Sequence, residues 1–162
     1  MATLTALKFD TPTGAEQMLD KIKSMQKMHL ITLQDAAIVT WPEDRKAPKT
    51  KQLNNLTTTG ALGGAFWGML FGLIFFVPFF GMAVGAAFGA LGGKMADYGI
   101  DDDFIKGVRD QVTKGTSALF LLTSDTVEDK VAEELKGMKF ELIASNLTKD
   151  QEKELMATFS EE

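Results

Sequence analysis

The sequence predicts an α+β fold: a ferredoxin-like four-stranded antiparallel sheet with helices on one face, interrupted by an inserted apolar glycine-zipper helical hairpin. Three observations lead there. A strand–helix–strand pattern occurs once before residue 52 and again after residue 97. The two halves echo each other, because Thr5-Ala6-Leu7 and Ser117-Ala118-Leu119 each open a strand that leads into a capped amphipathic helix and a further strand. Between them Gln52 to Gly93 is a 42-residue run with no Asp, Glu, Lys or Arg, while all 17 basic and 22 acidic residues lie elsewhere. The predicted organisation is therefore residues 1–51 as the first half plus a basic linker, 52–97 as the hairpin, and 98–162 as a helix, the second half and a C-terminal helix.

The elements follow in order. Leu4 to Phe9 alternates and reads as a strand, and Thr11-Pro12 reads as a helix N-cap with proline at the first helical position. The helix runs from Pro12 to about Met28, with Met18, Leu19, Ile22 and Met25 inward. Asp35 to Trp41, DAAIVTW, is a second strand closed by Pro42. The linker Glu43 to Lys51 carries Arg45, Lys46, Lys49 and Lys51 directly before the apolar run, the pattern of a headgroup-contacting, positive-inside flank. Lys94 plays the same part on the far side. Asp101-Asp102-Asp103 then opens a helix with Phe104, Ile105, Val108 and Val112 inward, one aspartate serving as N-cap. Ser117 to Thr123 is a strand, Ser124 or Asp125 caps a helix to about Gly137, and Lys139 to Ala144 is a strand. The tail, Thr148 to Phe159, opens T-K-D-Q-E and reads as a final amphipathic helix.

Within the apolar run, glycine recurs every fourth residue at Gly60, Gly64, Gly68 and Gly72, and again at Gly81, Gly85, Gly89 and Gly93. On a helix these fall on one face, a groove that admits another backbone. Ten glycines lie between Gly60 and Gly93, and at about 1 kcal/mol each they cost on the order of 10 kcal/mol of helix stability in water. Such a helix needs an external reason to form. Lipid is one, because unpaired backbone groups in hydrocarbon force a helix, and each 18-residue arm spans roughly 27 Å at about 1.5 Å per residue. Burial in an assembly of many copies is the other. Pro78 marks the turn, since it lacks an N–H and leaves the carbonyl of Ile74 without its helical donor.

Several chemistries are excluded. A net charge of −5 and the lack of a basic or aromatic-stacking signature argue against nucleic acid. Without cysteine there is no disulfide framework. His29, the single histidine, sits at a helix end as a dipole partner rather than a base. No glycine cluster ends in the Gly-Lys-Ser/Thr of a phosphate loop. The four aspartates Asp97 and Asp101 to Asp103 match no calcium loop, so neither a metal nor a cofactor is expected. Met1 to Asp10 lacks the basic start and apolar core of a signal peptide.

The stretches KFDTPTGAEQMLDKI, DAAIVTW, FFVPFFGMAVGAA, DYGIDDDFI, SALFLL and EELKG together resemble a bacterial family of membrane-associated proteins, the domain of unknown function 1269 (DUF1269), some of whose members are labelled glycine-zipper membrane proteins. The resemblance spans nearly the whole chain and implies the membrane connection and the fold, without an activity or site residues.

The expected function is structural and not enzymatic. Glycine-faced hairpins would pack in or against the inner membrane beneath a cytoplasmic ferredoxin-like domain, with lipid and further copies of the chain as partners. A soluble homo-oligomeric shell, a membrane-anchored ligand sensor and a pore stand beside it.

Overall fold

The computed structural model describes residues 2–46, 48–52, 64–76, 99–124, 133–151 and 153. Its centre is one antiparallel sheet of five strands: β1 (Ala2–Phe9), β2 (Thr32–Trp41), β3 (Lys49–Gln52), β4 (Thr116–Ser124) and β5 (Glu141–Leu147). They lie in the order β3-β2-β4-β1-β5. The two echoing segments are the central pair, with Leu7 opposite Leu119 and Ala6 opposite Phe120. The four-stranded expectation is thus one strand short. The missing strand is β3, where Lys49 and Lys51, read as linker, pair with Thr40 and Ile38 of β2.

Successive strand residues face opposite sides, and here both sides are apolar. Leu7, Phe9, Leu119, Leu121, Leu33, Ala36 and Ile38 form one buried cluster with helix α1 (Gly14–Lys27) through Met18, Leu19, Ile22 and Met25. Leu4, Ala6, Ala37, Val39, Ala118, Phe120 and Leu122 belong to a second cluster on the other side. The expectation of helices on one face is corrected accordingly. The second face is covered by α2 (Gly64–Phe71), the π-helical turn Gly72–Phe76 that continues it, and α3 (Asp102–Gln111). A face of bare Ala, Val, Leu and Phe could not stand in water, and the first arm of the apolar insert is what removes it from water.

Helix ends explain where the elements stop. Helix α1 begins at Gly14, two residues later than Thr11-Pro12 predicts. Ser117 on β4 supplies the cap from across the sheet: its hydroxyl accepts from the Ala15 amide at 3.0 Å and donates to the Thr11 carbonyl at 2.7 Å. At the other end the Leu30 amide bonds to the Met25 carbonyl and the His29 amide to that of Gln26, the Schellman pattern. That places His29 in the left-handed region, φ +58°, a position normally given to glycine. Helix α3 is capped as predicted: the Asp101 carboxylate accepts from the Phe104 amide at 2.9 Å. Thr148 and Gln151 exchange side-chain and amide bonds of 2.9 and 3.2 Å, a capping box at the head of the C-terminal helix. Glu133 and Glu134 are helical, and Lys21 on α1 pairs with Glu134 at 2.9 Å.

Two stability predictions follow from this packing. His29→Gly relieves about 1–2 kcal/mol of left-handed strain against about 0.5–1 kcal/mol of added backbone entropy, so denaturant unfolding should show a net gain of up to about 1.5 kcal/mol. Phe120 is fully buried between the sheet and α2, and Phe120→Ala should lower the unfolding free energy by about 3–5 kcal/mol.

Candidate functional site

Most residues that carry the functional expectation lie on the apolar insert, whose first described helix is α2. Phe66, Trp67, Leu70 and Phe71, then Leu73, Ile74 and Phe75 of the π turn, are all buried. Helical spacing gathers the α2 four and Ile74 on one face, and that face meets Phe120: the Phe71 ring stands 5.1 Å and the Trp67 ring 6.4 Å from it, both edge-on. Trp67 stacks on Phe71 at 5.7 Å, and Phe75 meets Trp41 of β2 edge-on at 6.3 Å. Burying seven such side chains contributes on the order of 10–20 kcal/mol, against about 3 kcal/mol for Gly64, Gly68 and Gly72. The external reason that this helix needs is its own sheet.

Two polar groups anchor the arm. Asp35 is 1% exposed and directed to this face by an irregularity of register between Leu33 and Asp35, without which it would share the α1 side with Leu33. One carboxylate oxygen accepts from the Trp67 indole N–H at 2.9 Å and the other from the Ala36 amide at 2.8 Å. At the far end, Arg109 of α3 donates Nε to the Ile74 carbonyl at 2.9 Å and Nη2 to the Leu73 carbonyl at 2.5 Å. The Ile74 carbonyl, for which the sequence offers no N–H at position 78, accepts from a guanidinium. Neither Asp35 nor Arg109 stands out in the sequence as a site residue; the available signal was the buried indole and the orphan carbonyl, each of which requires a partner.

Of the predicted contact stripe, Gly64 begins α2, Gly68 is exposed and Gly72 is buried. Among the described residues, a methyl group added at Gly68 would meet nothing within 4 Å. The bulky face of the helix is therefore sealed, and among those residues its glycine face is open at Gly68. Gly60, Pro78, Gly81, Gly85, Gly89, Gly93 and Lys94 lie outside the described residues. Arg45, Lys46, Lys49 and Lys51 are all exposed, the first two in the loop after β2 and the last two along β3; the Arg45 carbonyl also accepts from the Trp41 indole at 3.0 Å. Among the described residues no helix is long and apolar enough to cross a membrane, and no group of three or more acidic or histidine side chains is placed to hold a metal ion.

One groove of about 300 Å³ opens where β1 ends and β5 begins, lined by Lys8, Asp10, Met138, Lys139, Phe140 and Glu141. Lys8 bonds Asp10 at 2.7 Å and, by that hydrogen bond first, holds its carboxyl below the usual 3.8. With two lysines matched by two carboxylates, the groove has no net charge to select an ion.

The Asp35–Trp67 bond can be tested directly. Trp67→Phe leaves a buried carboxylate oxygen without that donor and should cost about 1–3 kcal/mol. A double-mutant cycle with Asp35→Asn should return a coupling of about 0.5–3 kcal/mol, whereas additive effects would mean that the bond does not tie the arm to the sheet.

Compared with known proteins, a family model described as a protein of unknown function, DUF1269, matches residues 61–160. No curated protein and no solved structure matches the chain.

Proposed function

The chain belongs to the DUF1269 family, and from that premise we propose that it is a structural, self-associating, membrane-associated protein and not an enzyme. A ferredoxin-like domain holds the first arm of the apolar insert against its own sheet and offers the glycine face of that arm, with the rest of the insert, to another helix. The observation that carries this reading is the open space at Gly68, opposite a helix face that is wholly buried. A helix with one sealed face has only the other left for association, and small residues there permit close backbone approach.

The order β2-β4-β1-β5, all antiparallel, supports the ferredoxin-like reading, because it interleaves two strand–helix–strand halves with their first strands central. The exposed Arg45, Lys46, Lys49 and Lys51 form a basic rim next to the insert, suited to anionic headgroups on the cytoplasmic side of the inner membrane. Nucleic acid is not a partner in this reading, and no cofactor takes part.

A second reading, a soluble cytoplasmic homo-oligomer, is favoured by one observation: the bulky side chains of the first arm are already buried by the sheet and need no lipid. A ligand-sensing module would have to use the groove at Lys8 and Lys139, whose balanced charges favour it least.

Detergent-free lysis followed by ultracentrifugation and light scattering distinguishes these. Recovery in the membrane pellet with release by detergent supports membrane association; a discrete soluble particle of many subunits supports the second reading; a soluble monomer overturns both. Gly68→Leu with Gly85→Leu should abolish assembly through the glycine faces. Because Gly68 is open among the described residues, Gly68→Leu alone should raise the unfolding free energy by about 0.5–1 kcal/mol, and assembly unchanged by the pair would refute glycine-face packing.

A further inference from the structure

The two edges of the sheet are built differently. β3 is short, four residues, and carries Lys49 and Lys51, both exposed, which is how natural sheets keep other strands away. β5 has none of these defences. Its seven residues, ELIASNL, contain no Lys, Arg, Pro or Gly, and its pairing with β1 is continuous from Ala2–Leu147 to Lys8–Glu141 without a bulge. Its single charge, Glu141, stands opposite Lys8. Leu142 is 61% exposed and Ala144 is exposed. Among the described residues, β5 pairs with β1 alone.

We propose that the outer edge of β5 pairs with β5 of a second copy of this chain, joining two five-stranded sheets into one across a two-fold axis. The strand is complementary to itself. In an antiparallel approach about an axis normal to the sheet, one register pairs all seven residues, and it sets Ala144 opposite Ala144 of the second copy. Glu141 then faces Leu147, so the two Glu141 carboxylates stand about 20 Å apart at about 3.4 Å per residue, well beyond the roughly 8 Å screening length. Leu142 of each copy lies diagonal to Ala144 of the other on the same face, within reach for a long side chain. The axis keeps like faces together, so both copies carry α1 on the same side. Such an isologous contact closes as a dimer, whereas β5 against the lysine-bearing β3 would grow without limit. The surface is separate from the glycine face of α2, and the proposal does not rest on the reading given above.

The chain has no cysteine, which makes the test direct. Ala144→Cys in the full chain should oxidise to a disulfide-linked dimer, because opposed residues of an antiparallel pair have Cα atoms about 4.5–5.5 Å apart, inside the range of about 4.4–6.8 Å that a disulfide spans. Thr50→Cys on β3 should stay unlinked, and the Ala144→Cys cross-link should persist in a Gly68→Leu background. Ala144→Lys, which opposes two like charges, should weaken dimerisation by about tenfold or more in sedimentation with an unchanged far-ultraviolet spectrum. The proposal is overturned by a natively folded Ala144→Cys that does not cross-link, by equal cross-linking at Thr50, by loss of the link in Gly68→Leu, or by sedimentation that Ala144→Lys leaves unchanged. A peptide strand of another protein on this edge would appear as the first of these outcomes.

Discussion

A sheet with two apolar faces is the constraint from which the rest of this architecture follows. β1 and β4 alternate between two buried clusters, Leu4 and Ala6 on one side with Leu7 and Phe9 on the other, Ala118, Phe120 and Leu122 against Leu119 and Leu121. A strand pair buried on both sides needs two covers. Helix α1 is one, amphipathic in the ordinary way. The other is drawn from the apolar insert and α3, so the most hydrophobic helix among the described residues lies over the centre of the molecule instead of beside it.

That placement gives the glycines of the first arm a different weight. A helix that is greasy on one side and bare on the other is poorly stable alone, yet seven buried side chains outweigh the conformational cost of three glycines several-fold. The bulky face fixes the helix, the glycine face at Gly68 is left over, and the two polar anchors set its position. Asp35 reaches the indole of Trp67 only because β2 shifts register beside it. Arg109 meets the Leu73 and Ile74 carbonyls of the turn, charge-assisted bonds that hold α3 to the arm it helps to cover.

Much of the domain was legible because its signals are local. Met18, Leu19, Ile22 and Met25 repeat at helical spacing, Asp101 precedes an apolar run by the distance of a cap, and the short run DAAIVTW closed by Pro42 marks its strand. The fifth strand was not legible: Lys49 to Gln52 has no apolar alternation, and its pairing is set by β2 rather than by its own composition. The second cover was also hidden, because Phe66, Trp67, Leu70 and Phe71 have the same pattern whether they face lipid or a sheet. Which of the two they meet depends on strands that are distant in the sequence on both sides of them. His29 in the left-handed region was invisible for a similar reason, since the Schellman bonds that put it there belong to the backbone.

The central strand pair joins β1 to β4, the first strand of the chain to the fourth, with the whole insert between them. During synthesis, therefore, the first arm is made well before the strand bearing Phe120 that completes its cover. From Phe76 to Ser124 the chain must grow by about 50 residues, roughly 2–10 s at 5–20 residues per second. Through that interval the nascent chain carries Trp67, Phe71, Ile74 and Phe75 without the β4 and α3 neighbours that complete their cover. The ribosome thus delivers the most adhesive part of the protein before its shelter, and whatever meets the chain first in those seconds, a chaperone, a bilayer or another copy, competes with the sheet for it.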